Sequence, residues 1–234
     1  MPLSLETRGV GDVTIVRCCG RIAAGGEIEA LRDHFAKLMP DRTDIVLHLG
    51  EVVFIDSSGL GTLVRLLTSV RRSRGDLKLC NVPPPVHNVL KLTSLIKLFD
   101  THASEEEAIA AFYHRTTTRD GASPRGPSVL CLDHSCDVLA YLRELLRRAG
   151  YEVLTNNNMR DALILMRAAR PQLVVLGPNL KSSPGIEEAF RSLSGTVPVL
   201  ELGPEFSTLD AGQAAAQLLE RIAAMAPLRP KIKA

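Results

Sequence analysis

The chain has 234 residues, 45% of them hydrophobic and 23% charged, with a formal net charge of +2. These values describe an ordinary globular protein with room for one large domain or two small ones, and so small a charge does not point to direct nucleic-acid binding. Aromatic residues make up only 4%, with no Trp, so the cores must be aliphatic and stacking platforms for bases or sugars are scarce. Residues Met1–Glu6 lack the charged leader and apolar stretch of a secretory signal. No apolar run approaches the roughly 18 residues that span a bilayer. Cys18, Cys19, Cys80, Cys131 and Cys136 are odd in number and show no CxxC spacing, which suits reduced thiols in buried strands better than disulfides or zinc. A cytoplasmic, non-enzymatic protein without metal or cofactor is expected.

A strand near Leu3–Arg8 turns at Gly11-Asp12 into the β-rich run Val13–Cys18. Ile28, Leu31, Phe35 and Leu38 recur at helical spacing within Glu27–Met39, a helix that Pro40 ends. Strand-like runs at Ile45–Leu49 and Val52–Ile55 lead into Asp56-Ser57-Ser58-Gly59, and a helix follows with Leu60, Leu63, Val64, Leu67 and Val70 on one face. Leu77–Cys80 is a further strand, trailed by short helices near Pro85–Leu92 and Glu105–Phe112. Strands first, then strands alternating with helices, predict a mixed sheet covered by helices over residues 1–115.

Residues 116–127 hold no hydrophobic periodicity and read as a linker. Beyond it, residues 128–228 alternate strictly. Strands are expected at Val129–Leu132, Tyr151–Thr155, Leu173–Leu176 and Val197–Leu202, and helices around Leu139–Leu146, Met159–Ala169, Ile186–Leu193 and Ala211–Ala226. That order predicts a doubly wound parallel sheet with no fifth strand. Asn156-Asn157-Asn158 reads as a turn into the Met159 helix. Arg229, Lys231 and Lys233 give residues 229–234 the look of a solubilising basic tail.

Phe54-Ile55-Asp56-Ser57-Ser58-Gly59-Leu60-Gly61 is the most informative stretch. An apolar strand ends in a carboxylate, two hydroxyls and a glycine, and an amphipathic helix begins at once. The first four helical N–H groups need acceptors, and Ser or Asp ahead of them supplies one. A helix cap therefore explains the motif by itself. A hydroxyl at the positive end of a helix is also well placed to carry a phosphate, which would bring about −1.5 to −2 charges to a docking surface.

At these residues the chain resembles the STAS family of bacterial anti-sigma-factor antagonists. The resemblance covers residues 1–115 and extends to Gly20-Arg21-Ile22, Val46-Leu47-His48-Leu49 and Leu77-Lys78-Leu79-Cys80-Asn81-Val82. It implies that Ser57 is phosphorylated by an anti-sigma factor that is itself a histidine-kinase-like serine kinase. The bare form would bind that kinase, and a PP2C-type phosphatase would reset the switch. Asp56 would be the neighbour of the acceptor, and Ser58 the cap or a minor second acceptor. Arg21 stands where the family usually has an acid, which could alter partner choice. Gly59, Gly61 and Arg65 would join Asp56, Ser57 and Ser58 in the docking surface, although a solvated helix face also explains Arg65. The alternative function is a non-phosphorylated STAS scaffold in a transporter or signalling assembly.

The second domain resembles the receivers of two-component signalling, with their flavodoxin-like fold, through Val129–Asp133, Ala149–Val153, Ala162-Leu163 and Arg170–Leu176. A working receiver needs an acidic pair, an acceptor Asp, a hydroxyl residue and a Lys. Here His134 follows Asp133, Gly177 stands at the acceptor position and Gly203 at the hydroxyl position. A degenerate receiver used for docking or self-association is expected. Other chemistries fit poorly: His34, His48 and His87 form no hydrolase motif with Ser57 or Ser58, and Asp133-His134-x-Cys136 is a weak metal pattern.

Overall fold

Strand β1 (Ser4–Val10) reverses at Gly11-Asp12 into β2 (Val13–Ile22), with Val10 opposite Val13 in an antiparallel pair. Helix α1 (Gly26–Leu38) leads to β3 (Asp44–Ile55), α2 (Ser57–Arg72) and β4 (Asp76–Cys80). Helix α3 (Pro84–Leu92), a 3-10 turn at Leu95–Lys97, β5 (Asp100–His102) and α4 (Glu105–Arg119) complete the first unit. The sheet runs β1-β2-β3-β4-β5, parallel after the first pair. The structure describes residues 1–38, 44–119, 126–180, 184–195, 197–203 and 211–228 in a computed structural model, and the chain divides at Arg115/Thr116 into two units.

The mixed sheet is the expected one, with three differences. The two apolar runs of β3 are a single strand through Gly50, with register shifts on the facing β2 between Arg17 and Cys19 and between Gly20 and Arg21. Strand β5 is absent from the sequence expectation, because Asp-Thr-His has no apolar pattern and pairs only as a short edge. Helix α4 runs to Arg119, so the first residues of the expected linker are helical. Nothing from 105 to 119 is Gly or Pro, and three carboxylates in the first turn favour a helix start there. The rest of that segment up to 125, and the basic tail 229–234, lie outside the described residues.

One sheet face, with Val16, Cys18, Leu47 and Leu79, shares a core with Leu31 and Phe35 of α1, Leu63 and Leu67 of α2, and Leu90 of α3. Lys78 lies between Leu77 and Leu79 on the opposite face and is 1% exposed. It pairs with Asp100 of β5 and sits 4.9 Å from the Phe112 ring centre. Burial works against ionisation of Asp100, but the Lys78 ammonium and His102 hold its carboxyl below the usual carboxylate value.

The second unit is built from β6 (Ser128–Leu132), α5 (Cys136–Arg148), β7 (Glu152–Asn156), α6 (Met159–Ala169), β8 (Leu173–Leu176), α7 (Pro184–Leu193), β9 (Val199–Glu201) and α8 (Ala211–Met225). Its sheet is wholly parallel in the order β7-β6-β8-β9. Val129 and Cys131 pack with Leu142 of α5 and Ile222 of α8, while the alternate residues Leu130 and Leu132 are buried on the other face. Both faces are covered, so the sheet is doubly wound. Asn158 caps α6 by accepting from the Asp161 amide at 2.8 Å. Cys136 is exposed at the start of α5 rather than buried in a strand. Among the described residues no helix is long and apolar enough to cross a membrane.

The Lys78–Asp100 pair generates a test. Asp100→Ala leaves a buried ammonium without its counter-ion, and a loss of about 1–3 kcal/mol is expected at neutral pH, read by thermal melting. Adding Lys78→Met should recover most of it. Because the Asp100 carboxyl titrates below its unfolded value, the wild-type advantage is present above about pH 4 and shrinks as pH falls through the lowered value. A double variant no more stable than Asp100→Ala would refute this role for the pair.

Candidate functional site

Helix α2 starts directly at the end of β3, and Asp56 makes the junction. Its backbone is extended (φ −101, ψ −178), and its side chain caps the helix by accepting from the Gly59 amide at 2.8 Å. The other carboxylate oxygen accepts from the Ala24 amide, also at 2.8 Å. The Asp56 amide donates to the Ile22 carbonyl at 3.3 Å. One residue thus ties the end of β2, the loop after it and the first turn of α2 together. The amides of Ala24 and Gly59, helped by that of Ser58 and by the Arg21 guanidinium, hold the Asp56 carboxyl below its ordinary value against the effect of burial. The cap is therefore Asp56 and not Ser58. An ionised carboxylate in a bidentate tie is a stronger acceptor than a hydroxyl.

Ser57 and Ser58 are the first two residues of α2 and both are exposed. The Ser57 hydroxyl has no hydrogen-bond partner among the described residues. The Ser58 carbonyl accepts from the Thr62 hydroxyl at 2.9 Å. Gly59 is buried, and a Cβ there would overlap the Ile22 carbonyl oxygen and stand 2.8 Å from Ile55 Cγ1. The missing side chain lets α2 touch the end of β2. Gly61 is half-buried, with open space where a Cβ would stand, and Arg65 is exposed farther along α2.

Two features are not readable from the sequence. Arg21 and Phe54 face each other across β2 and β3, with the guanidinium 4.7 Å from the ring centre. Phe54 is 43% exposed and Val53 62%, so the end of β3 carries apolar surface beside a cation. Both lie in apolar strand runs that read as core, and only the cross-strand register brings Arg21 to Phe54. The second feature is the Ala24 amide, a backbone donor that leaves no mark in a sequence.

A model of the STAS domain matches residues 4–108. The anti-sigma F factor antagonist of Paenibacillus polymyxa is 35% identical over 116 residues, spanning 47% of this chain and 94% of that protein. The first half of this chain belongs to the STAS family, in its anti-sigma-factor-antagonist branch. The solved structure of the anti-sigma factor antagonist SpoIIAA in its unphosphorylated form shares 24% identity, with a TM-score of 0.41, covering 48% of this chain and 96% of that one. The transcriptional regulatory protein PrrA of Mycobacterium tuberculosis is 36% identical over 86 residues, 36% of this chain and 37% of that protein.

Outside the STAS domain, the second unit has its own site at the carboxyl ends of its strands. Asp133 is fully buried after β6 and accepts from the Ser135 amide at 2.6 Å and from the Asn179 amide at 3.1 Å. Its carboxylate occupies the space a side chain at Gly177 would need. A Cβ there would overlap an Asp133 oxygen and lie 2.7 Å from Asp133 Cβ and Cγ. His134 turns away, with Nδ1 2.7 Å from the Asn157 carbonyl. Residue 177 thus lacks both an acceptor side chain and the room for one.

These close approaches give two tests by thermal or denaturant unfolding. Gly59→Ala should lose about 2 kcal/mol through overpacking, whereas Gly61→Ala should be neutral or gain up to about 1 kcal/mol of helix propensity. Equal effects at the two positions would contradict the tight fit at Gly59. Gly177→Asp should cost about 2–3 kcal/mol and distinctly less in an Asp133→Ala background, where the space is freed. Simple additivity of the two substitutions would show that they do not share that space.

Proposed function

We propose that the STAS domain is a phosphorylation-controlled docking switch. With Ser57 bare it binds an anti-sigma factor of the histidine-kinase-like serine-kinase class, and with Ser57 phosphorylated it lets that partner go. A PP2C-type phosphatase restores the bare form. In this scheme the chain catalyses nothing; it is the substrate of one enzyme and then of the other. The role that the Paenibacillus relative is named for supports the general reading.

The observation that carries the scheme is the contrast between Asp56 and Ser57. Asp56 consumes the Gly59 amide at the helix start and ties down the loop, while the neighbouring hydroxyl is exposed and without a partner among the described residues. A phosphate on Ser57 would find the Gly59 donor taken and a carboxylate beside it. The added charge would thus face outward, toward whatever covers the loop, and the fold need not move. A partner packed on Ser57, Val53 and Phe54 would have to bury that charge, a cost of several kcal/mol unless it is paired. Arg21, unlike the acid usual in the family, adds a cation beside the loop that favours a partner with an acidic contact.

The second unit is assigned a docking or self-association role as a receiver-like domain without phosphoryl chemistry. Its 2-1-3-4 strand order supports this, as does the filled space at Gly177.

Intact mass and phosphosite mapping of the protein from its own host test the switch. One phosphate on Ser57 is expected, absent in Ser57→Ala, with Ser57→Asp losing at least about tenfold in partner affinity. If no phosphate is found under any growth condition and both variants bind as wild type does, the scaffold role replaces the switch.

A further inference from the structure

Helices α1 and α2 lie on the same side of the STAS sheet, and a cleft of about 440 Å³ runs between them. Its floor is apolar, with Phe35, Val64 and Leu66, and its rim carries Arg32 from α1 and Arg65 and Arg72 from α2. We propose that this cleft is a docking groove for an acidic amphipathic helix of a protein partner. The proposal rests on the partner-binding role of the STAS domain but does not require that Ser57 be phosphorylated.

Charge complementarity identifies the occupant. No carboxylate among the described residues lines the cleft: Glu27, Glu29 and Asp33 of α1 all lie outside it. Arg32, Arg65 and Arg72 are exposed and have no ion pair among the described residues, whereas the adjacent Arg71 is held by Asp76 at 2.8 Å. Leaving a row of guanidiniums unpaired over an apolar floor invites an anion that also brings apolar surface.

Spacing separates a peptide from a small anion. Arg65 and Arg72 are seven residues apart, which places their backbone positions about 10.5 Å apart along the helix. One phosphate cannot bridge that distance, but carboxylates repeated every two turns on a facing helix match it. Leu or Ile on the inner side of such a helix would meet Phe35 and Val64, the groove-and-helix mode of recognition.

The position of the cleft also gives it a distinct role. Arg65 lies eight residues, or about 12 Å along α2, from Ser57, beyond the screening length of about 8 Å at physiological salt. A charge on Ser57 therefore weakens contacts at the loop and leaves the cleft contact in place. Release of a partner at the loop and occupancy of the cleft by an acidic helix are thus separate events, the first set by Ser57 and the second by the arginine rim.

The test is titration of the isotope-labelled full chain, observed by amide chemical shifts. The probe is a synthetic Glu/Leu peptide of roughly five helical turns, with a scrambled peptide of the same composition as control. Inorganic phosphate and ATP are titrated separately. The expected result is shifts centred on Arg32, Ala36, Arg65, Thr68 and Arg72 with the amphipathic peptide and not the scrambled one. Affinity should fall about tenfold or more in Arg65→Glu/Arg72→Glu and change less than about twofold in Ser57→Asp. Arg65→Gln/Arg72→Gln, which keeps an uncharged polar surface, should fall in between, with unchanged thermal melting for both pairs. The proposal is overturned if the peptide shifts no cleft residue or if the scrambled peptide binds equally. It is also overturned if ATP or phosphate alone fills the cleft, or if the double Glu variant instead dissociates a dimer of the free protein. Absence of phosphate on Ser57 would remove the switch and leave this titration unaffected, so the two proposals fail separately.

Discussion

The carboxylate of Asp56 is the constraint from which the candidate site follows. By accepting from the amides of Ala24 and Gly59 it fixes the loop after β2 and the first turn of α2 to one another. Gly59 then allows the helix to approach Ile22 so closely that no other residue fits without displacement. With the junction closed in this way, the hydroxyl of the next residue has nowhere to turn but outward. A rigid frame and an exposed hydroxyl thus stand one residue apart, with the geometry kept by the neighbours of Ser57.

Much of this is legible in the sequence. Periodicity locates the helices around Leu31, Leu63 and Leu142, and the strand-carboxylate-hydroxyl-glycine string locates the junction. What the string cannot show is the division of labour inside it. Asp56 and both serines can each cap a helix, and only the arrival of the Ala24 amide from a residue far away in sequence selects Asp56. The same limit applies to Lys78. A lysine between two leucines looks like an edge position, and its burial becomes intelligible only once β5 brings Asp100 alongside and α4 brings Phe112 over it. Local pattern fixes local structure, whereas partners that arrive through topology leave no trace in the pattern.

The second unit shows the opposite relation between sequence and space. Reading Gly177 as a missing acceptor describes an absence, yet the structure shows that the place is filled by the buried, hydrogen-bonded carboxylate of Asp133. A hollow there would admit water around an unpaired acid. The filled arrangement satisfies the carboxylate with backbone donors and makes it part of the framework. Three buried thiols follow the same logic: burial pushes Cys18, Cys80 and Cys131 up to about 12, and they serve as small apolar side chains rather than as nucleophiles.

Strand β3 outruns its neighbour. Its pairing with β4 ends at His48, but the strand continues through Ile55 beside β2 alone. Those seven residues amount to about 23 Å of extended chain, and Ser57 stands just past their tip. The overhang acts as a jetty: flanked by β2 alone, it carries the junction with α2, and the exposed Ser57 with it, past the end of β4.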